Sequence, residues 1–177
     1  MRRLLIAFAL AGSLLTSHIA LPEAARAQEV EFVHDGDSFR ADMGAVTQNI
    51  RLVGIECPEG TPSSKARREA RRLGMTMREY LAYGDQAAAF TRKYLPRDGK
   101  FRLEHDVEKR DKYGRLLGYV WLPNGKLLNE ELVRAGLATL FPTRENVKYK
   151  ARLQAALADA KKHKRGIWAK PRKDSVN

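Results

Sequence analysis

The sequence predicts an α+β domain that is mainly β, with five short strands and helices between and after them. Five segments either alternate apolar and polar residues or form short runs rich in β-branched residues, which is typical of strands. Four further segments repeat apolar residues at helical spacing. The predicted strands are 29–33, 39–41, 49–55, 101–108 and 116–122. The predicted helical segments are 61–83, 85–95, 129–135 and 145–164.

Residues 1–27 have the layout of a secretory signal peptide. Two arginines form a basic start, residues 4–15 are mostly apolar, and small residues precede a cleavage position after Ala27. A membrane anchor is disfavoured because the apolar run is shorter than the roughly 20 residues that span a bilayer. We therefore expect an exported protein, periplasmic or secreted, with one domain over 28–170 and a flexible polar tail over 171–177.

The chain is strongly basic, with a formal net charge of +12. Removing the predicted signal peptide takes away three arginines and Glu23, which leaves a net charge of +10. A surplus of this size on one small domain indicates a polyanionic partner, either nucleic acid or an anionic surface. The alternative is that the charge serves solubility alone.

Cys57 is the only cysteine, so the chain cannot form an intrachain disulfide. We expect its stability to come from the core, or from the core and a bound ion. A catalytic thiol is disfavoured because no histidine lies near Cys57 in the sequence. The four histidines are scattered, so we expect any metal to be a hard cation with oxygen ligands.

The first two strands flank residues 34–38, where Asp35 and Asp37 surround a glycine. An Asp-Gly pair between two strands is typical of a hairpin turn. The two aspartates are therefore either turn formers or acidic ligands at the end of a strand. An EF-hand is excluded because the later loop ligands and the terminal glutamate are absent.

The third strand, 49–55, leads into a loop at Pro58, which cannot donate a hydrogen bond to a sheet. Arg51 lies in this strand, and Glu56 and Glu59 follow at its other end. Carboxylates at a strand end can hold a hard cation or accept a proton, and a guanidinium can clamp a phosphate. The stretch is therefore a candidate functional site.

Residues 61–83 form a basic helical segment that Gly74 is expected to interrupt. Thr76 and Glu79 have the spacing of a capping box, which predicts a second short helix. One face of the segment is apolar, and the opposite face carries a cluster of arginines. These arginines are Arg67, Arg68, Arg71, Arg72 and Arg78. The cluster either contacts nucleic acid or forms a solvated face.

The C-terminal half continues with a helix that stops at Pro96, two strands and two further helices. Turns are predicted at 111–115 and 123–126, and Gly136 ends the helix over 129–135. After the last helix, Trp168 is expected to pack in the core rather than to stack on a base.

Four motifs in this order resemble the staphylococcal nuclease (thermonuclease) family, and together they span nearly the whole chain after residue 27. The motifs are Asp35-Gly36-Asp37-Ser38, the stretch 51–59, Asp111-Lys112-Tyr113-Gly114-Arg115 and the stretch 129–138. The resemblance implies a five-stranded OB-fold barrel with about three helices, to which the basic segment over 61–83 is an insertion. It also implies a monomer that hydrolyses DNA and RNA with Ca²⁺ and leaves 3′-phosphorylated products.

The resemblance also implies roles for ten residues. The expected metal ligands are Asp37, Glu56 and the backbone carbonyl of Cys57, with Asp35 and Ser38 behind them. Glu59 takes the position that orients or deprotonates the attacking water. Arg51 and Arg115 take the positions of two arginines that bind the phosphate and stabilise the transition state. Lys112 and Tyr113 match substrate-contact positions.

This chain departs from the family pattern at three places. Glu56 stands where the family usually has aspartate, and its extra methylene changes the reach of the carboxylate, so Mn²⁺ or Mg²⁺ are alternative ions. Phe141-Pro142 occupies the region of a tyrosine that lies near the nucleotide in a well-known member. The insertion over 61–83 either extends the nucleic-acid surface or gates the site.

Two other hypotheses fit the composition. The first is a catalytically silent nucleic-acid-binding module, because OB folds bind strands without chemistry. It is disfavoured because a pure binder needs arginines such as Arg51 and Arg115 but has no need of carboxylates at Asp37 and Glu59. The second is a basic envelope-associated protein, which salt-dependent DNA binding would distinguish.

Overall fold

The computed structural model describes residues 28–44, 46–141 and 148–169. The predicted signal peptide, Pro142, the first three residues of the predicted last helix and the C-terminal tail lie outside these ranges. The strands are β1 Gln28–Val33, β2 Ser38–Asp42, β3 Thr47–Leu52, β4 Ile55–Glu56, β5 Lys100–Glu104, β6 Leu116–Trp121 and β7 Thr139–Leu140. The helices are α1 Ser64–Arg72, α2 Met77–Tyr94, α3 Leu128–Arg134, α4 Lys150–Lys162 and a 3-10 helix over Gly166–Trp168.

Five of the strands close into a barrel in the order β1, β2, β3, β6 and β5. The pairs are antiparallel except for β3 with β6, which is parallel. β4 and β7 form a separate two-stranded sheet beside the barrel. The prediction of an α+β, OB-type barrel that carries helices is therefore confirmed.

The prediction of a single strand over 49–55 is wrong. β3 ends at Leu52, and the chain turns at Gly54, which has a φ of +76° that glycine adopts without strain. Asn129 stabilises this turn from the fully buried start of α3. Its side-chain amide donates to the carbonyl of Val53 at 2.9 Å, and its carbonyl accepts from the amide of Val120 at 3.0 Å. The turn folds β4 back beside the end of β3.

The break at Gly74 and the capping box of Thr76 with Glu79 are both confirmed. The two helices predicted after this break are a single helix, α2, which runs through Gly84 without interruption. Glycine inside a helix is unfavourable by about 1 kcal/mol relative to alanine. Close packing explains its presence here, because a Cβ at this position would collide with the backbone carbonyl of Glu59.

Two predictions at the ends of elements need correction. The strand predicted over 101–108 ends at Glu104. The helix predicted over 145–164 covers only Lys150–Lys162, since residues 148–149 and 163–164 form turns, but its buried residues keep the predicted helical spacing. Trp168 follows it and packs on a small apolar cluster, in agreement with the core prediction.

The core has two parts that matter for the candidate site. The larger cluster fills the barrel and extends to α3 and α4. The smaller cluster holds α1 through Ala66, Ala70 and Leu73, which pack with Tyr80 of α2 and Ile167. Full burial of a leucine or isoleucine side chain is worth about 1.5–3 kcal/mol, so this cluster fixes α1 against α2. Within the described ranges, no helix has both the length and the apolar character to cross a bilayer.

Candidate active site

A cleft with a volume of about 590 Å³ lies at the end of the barrel, where β3, β4 and the turn before β6 meet. Every residue predicted for the site lines this cleft except Ser38, which is buried behind it. The lining residues from that prediction are Asp35, Asp37, Arg51, Glu56, Cys57, Glu59, Lys112, Tyr113 and Arg115. The fold therefore brings together motifs that lie as much as 80 residues apart in the sequence.

Arg51 is the central cation of the cleft. It lies opposite Ser38 in the antiparallel pair of β2 and β3, so its side chain reaches Asp37, the residue just before β2. Its guanidinium forms ion pairs with Asp37 and Glu56, and it donates to the carbonyl of Ile55 at 3.2 Å. The turn at Gly54 makes this arrangement, because it returns Glu56 to the arginine instead of carrying it to the far end of a strand.

Asp35 shapes the turn that presents Asp37. Its Oδ1 accepts hydrogen bonds from the amide of Asp37 at 3.0 Å and from the hydroxyl of Ser38 at 2.8 Å. Both contacts lie within the turn, so Asp35 acts as a turn former, which was the first of its two possible roles. Asp37 is 2% exposed, and its carboxylate forms an ion pair with Arg51 across the cleft rather than a contact within the turn.

Cys57 contacts Asp37 through its backbone. Its amide donates to Oδ2 of Asp37 at 2.6 Å, so both oxygens of this carboxylate are engaged. The thiol is buried, and burial raises the pKa of Cys57 far above neutrality. A protonated thiol is a poor nucleophile, so the pKa of Cys57 agrees with the sequence-based argument against a catalytic cysteine.

Glu59 is held by residues of α1. The hydroxyl of Ser63 donates to its Oε2 at 2.5 Å and also caps α1 by accepting from the amide of Ala66 at 2.9 Å. The ammonium group of Lys65 lies 3.1 Å from Oε1 of Glu59 and forms an ion pair with Glu56 as well. The first turn of α1 therefore orients the carboxylate of Glu59, and Lys65 links it electrostatically to the carboxylate of Glu56.

One face of α2 supports the loops of the cleft from behind. Gly84 packs against the backbone of Glu59, and the hydroxyl of Thr91 donates to the carbonyl of Gly36 at 2.6 Å. A Cβ on Gly36 would lie 2.6 Å from Ala87 and 2.7 Å from the sulfur of Cys57. These α2 positions recur at helical spacing, so a rigid helix sets the distance between the turn that carries Asp37 and the loop that carries Glu59.

Arg115 enters the cleft from the turn before β6. Asp111 organises this turn by accepting from the amides of Tyr113 at 2.9 Å and Arg115 at 3.0 Å. It also accepts from Nε of Arg115 at 2.7 Å. Burial alone would raise the pKa of Asp111, but the hydrogen bonds from Arg115 and Tyr113 outweigh it and hold the pKa below its usual value. Among the residues that the structure describes, Asp111 is the one carboxylate within ion-pair distance of this guanidinium.

Two aromatic side chains form the rim of the cleft. Tyr113 is 73% exposed, and its ring lies 5.0 Å from the ammonium of Lys112 and 5.8 Å from the guanidinium of Arg115. Phe141 is 51% exposed and is held beside the turn at Gly54 by its amide, which donates to the carbonyl of Gly54 at 3.0 Å. Exposed rings near cations are a suitable surface for stacking bases.

The residues fit a hard cation with open coordination better than a closed metal cage. In the described ranges, no three side chains of His, Cys, Asp and Glu are grouped closely enough to hold an ion by themselves. Asp37 and Glu56 nevertheless supply carboxylate oxygens to a cleft that is open to water. Calcium accepts carboxylates, backbone carbonyls and water in flexible geometry, so this donor set suits it.

Sequence analysis missed four residues that build the site. Ser63 and Lys65 contact the side chain of Glu59. Gly84 packs against the backbone of Glu59, and Asn129 stabilises the turn at Gly54. Ser63 was detectable as a capping serine before a helical repeat. The contacts of the other three depend on tertiary packing, which no local pattern indicates.

Comparisons with known proteins agree with this geometry. The family described as Staphylococcal nuclease homologue matches residues 49–170. The thermonuclease of Staphylococcus hyicus is 36% identical over 138 residues, which cover 77% of this chain and 72% of that protein. The thermonuclease of Staphylococcus intermedius is 34% identical over 140 residues, which cover 78% of this chain and 74% of that protein. Endonuclease YhcR of Bacillus subtilis (strain 168) is 33% identical over 145 residues, which cover 78% of this chain but 11% of that protein.

Proposed function

Because the chain belongs to the staphylococcal nuclease family and is a phosphodiester-hydrolysing nuclease, we propose that it is an exported, calcium-dependent endonuclease for DNA and RNA. The observation that carries the proposal is the convergence of Arg51, Glu59 and Arg115 in one cleft with the carboxylates of Asp37 and Glu56. These are the residue types that phosphodiester hydrolysis needs, and they converge from three separate parts of the fold.

The two arginines bind the phosphate. A phosphodiester is an anion that repels an attacking oxygen nucleophile, so the site must neutralise its charge before attack. Arg51 and Arg115 approach the cleft from different elements, and each guanidinium offers several donors in a planar fork. Together they hold the phosphate and stabilise the additional charge that develops as the phosphorus becomes five-coordinate.

Glu59 positions the attacking water and accepts its proton. Its carboxylate faces the cleft and is already oriented by Ser63, so it needs little rearrangement before attack. Removing a proton from water at the moment of attack generates the nucleophile where it is needed. The bond that breaks is the one to the 5′ oxygen, so the products carry a 3′ phosphate.

Asp37, Glu56 and the backbone carbonyl of Cys57 would hold the calcium ion beside the arginines. When bound, the ion supplies positive charge to a phosphate oxygen and lowers the pKa of water near it. The longer side chain of Glu56 alters the reach of this ligand set, so Mn²⁺ and Mg²⁺ are the alternative ions. Lys112 and Tyr113 contact the substrate at the rim.

The remaining features of the proposal concern location and assembly. Residues 1–27 direct export to the periplasm or beyond, the mature domain covers 28–170, and the protein acts as a monomer. The composition supports export because the segment has the order of regions found in signal peptides. The net charge of +10 that remains supports a polyanionic substrate.

The test is cleavage of DNA and of RNA by the purified mature chain in calcium, magnesium, manganese and EDTA. We expect cleavage that requires a divalent ion and falls by about 10²–10⁴-fold in Glu59→Gln, because one acid-base contribution is lost. Asp85→Asn is the matched control, since Asp85 is a carboxylate of α2 next to the Glu59 loop but does not line the cleft. Salt-sensitive binding without cleavage in every ion would instead support the silent nucleic-acid-binding module.

A further inference from the structure

The inserted helix α1 begins at the cleft and runs away from it. Ser63, at its N-cap, and Lys65, in its first turn, contact Glu59, so the start of the helix is fixed beside the proposed reaction centre. Nine residues at 1.5 Å each give α1 a length of about 13 Å. A ligand bound along the outer side of α1 would therefore be continuous with a ligand in the cleft.

The outer side of α1 is a row of arginines, which we call the α1 basic face. It consists of Arg67, Arg68 and Arg71, all of which are exposed, while Ala66 and Ala70 face the core. Within the described ranges, none of the three has a carboxylate within ion-pair distance. The neighbouring Arg72, in contrast, is paired with Glu69. The α1 basic face is therefore available to an external anion.

The like charges of the α1 basic face repel one another when no anion is bound. Arg67 and Arg71 are spaced i and i+4, and Arg68 and Arg71 are spaced i and i+3, so like charges are neighbours on the helix surface. Each such pair destabilises a helix by about 0.2–0.5 kcal/mol, and the helix has no acidic residue in its first turn. A bound polyanion would relieve this repulsion.

We propose that the α1 basic face binds the backbone phosphates of a single strand of nucleic acid whose scissile phosphate lies in the cleft. This inference deepens the proposed nuclease function and depends on it. At ~3.4 Å or more of strand per nucleotide, the length of α1 covers at most about four phosphates. An anionic lipid surface is the less suitable partner, because the apolar side of α1 is already packed against Tyr80 and Ile167 and is not free to insert.

The test compares two triple variants with equal loss of charge. One variant carries Arg67→Gln, Arg68→Gln and Arg71→Gln. The matched control carries Lys93→Gln, Arg97→Gln and Lys100→Gln, three exposed cations in the last turn of α2 and after it. Binding to a ladder of labelled oligothymidylates is measured in EDTA over a range of salt concentrations, after circular dichroism has verified that both variants are folded.

We expect the α1 variant to lose affinity only for oligonucleotides long enough to extend beyond the cleft. Its salt dependence should become shallower by about 2, since each lost contact to a single strand contributes about 0.7 to the slope of log affinity against log salt. The control variant should show a smaller loss that is the same for every length. Equal losses in the two variants at all lengths would overturn the proposal, because they would indicate a general effect of charge.

Two further arms separate the possible failures. Loss of binding to anionic vesicles with unchanged affinity for oligonucleotides would overturn the proposal in favour of a lipid surface. Cleavage of the shortest substrate in calcium should be equal in wild type and the α1 variant. If wild type cleaves no substrate but the length-dependent loss is present, the nuclease proposal fails while the phosphate surface remains supported.

Independent contacts support a second inference, about Lys65. Its ammonium group forms ion pairs with Glu56 and Glu59, and Arg51 pairs with the other oxygen of Glu56 and with Asp37. The carboxylates proposed to hold calcium are thus already neutralised by side chains of the protein. We propose that Lys65 competes with the metal for Glu56 and so sets the affinity of the site, an inference that also depends on the proposed function.

Calcium binding measured by isothermal titration calorimetry tests this role without reference to activity. We expect Lys65→Gln to bind calcium about tenfold more tightly than wild type, because the ammonium group that pairs with Glu56 and Glu59 no longer competes with the ion. Lys112→Gln, which removes an equal charge from the same cleft but has no carboxylate ion pair among the described residues, should change the affinity less. Equal or weaker binding by Lys65→Gln would overturn this proposal, and an absence of calcium binding by wild type would overturn the proposed calcium dependence as well.

Discussion

The two arginines of the cleft differ in how the fold holds them. The side chain of Arg51 is 15% exposed and has two carboxylates and a backbone carbonyl as partners, all within or beside the barrel. The side chain of Arg115 is 34% exposed and has one carboxylate partner, Asp111, in its own turn. One arginine belongs to the core of the site, and the other reaches into it from the surface.

This difference implies that the two residues contribute differently to stability and to chemistry. Removing Arg51 leaves Asp37, which is almost completely buried, without its counter-charge, so folding depends on Arg51, and in the proposed mechanism activity depends on it as well. Arg115 can be removed with little effect on folding, because Asp111 lies in an exposed turn where water can replace the lost partner. We call Arg51 with Asp37 and Glu56 the Arg51 half of the cleft, and the turn over 111–115 the Arg115 half. Substitutions in the two halves should separate catalytic from structural effects.

The largest expected effect is that of Arg51→Gln. Leaving a buried charge without its partner is destabilising by about 3–5 kcal/mol, and the variant should also lose cleavage because Arg51 is proposed to bind the phosphate. Urea denaturation of wild type and variant measures the first effect. Arg40→Gln is the control, since Arg40 lies in β2 with an exposed ion pair to Glu31 and should change stability by less than about 1 kcal/mol. Equal stability of Arg51→Gln and wild type would contradict the account.

The next effect in size is that of Gly84→Ala, which acts through the backbone of Glu59. Alanine is the better helix former by about 1 kcal/mol, but its Cβ would collide with the carbonyl of Glu59. We expect a net loss of stability of about 1–3 kcal/mol from overpacking, together with reduced kcat as the carboxylate moves. Unfolding and single-turnover cleavage provide the two measurements. Ala82→Gly on the same helix is the control for propensity, and increased stability in Gly84→Ala would refute the packing argument.

The smallest effect concerns the acid stability of the Arg115 half. The pKa of Asp111 is lowered in the folded protein, so its ion pair contributes stability above the unfolded pKa of about 3.9, and that stability is lost as the pH falls through the folded value. Asp111→Asn should therefore differ from wild type at neutral pH by at most about 1 kcal/mol, and the difference should vanish in acid. Urea denaturation between pH 7 and acid conditions measures it.

Glu104, which lies outside the cleft, provides a comparison for the loss of stability in acid. Hydrogen bonds from Lys148, and further ones from Trp121 and Tyr149, lower the pKa of Glu104 to about 2 against the cost of burial. Its contribution is complete above the ordinary pKa of about 4.3 and persists until the pH approaches 2. Glu104→Gln should thus remain less stable than wild type over a wider acid range than Asp111→Asn. The reverse order would contradict the assignment of these hydrogen bonds.

The sequence predicted the Arg115 half of the cleft better than the Arg51 half. The turn over 111–115 is a local structure, in which Asp111 binds amides two and four residues later, so its residue types are sufficient to indicate it. Around Arg51, the local sequence pattern does not indicate the structure. An apolar run with one glycine resembled a single strand, whereas Asn129, which lies 75 residues after Gly54, stabilises a turn there.

The helices show the same division between local and tertiary information. The capping box at Thr76 is local and was predicted, and so was the break at Gly74. The continuation of α2 through Gly84 was not, because a glycine in a helical pattern lowers the helical propensity unless close packing requires it. The contacts of Lys65 could not be inferred either, since they depend on how α1 packs on α2.

The comparison is tested most directly by measuring, on the same preparation of Arg115→Gln, the unfolding free energy and the rate of DNA cleavage in calcium. We expect the stability of Arg115→Gln to lie within about 1 kcal/mol of wild type, because a partly exposed ion pair within one turn is lost. We expect its cleavage rate to be lower by about 10²–10³-fold, because Arg115 is proposed to donate to the transition state. A variant that cleaves at the wild-type rate, or one that unfolds as readily as Arg51→Gln, would contradict the account.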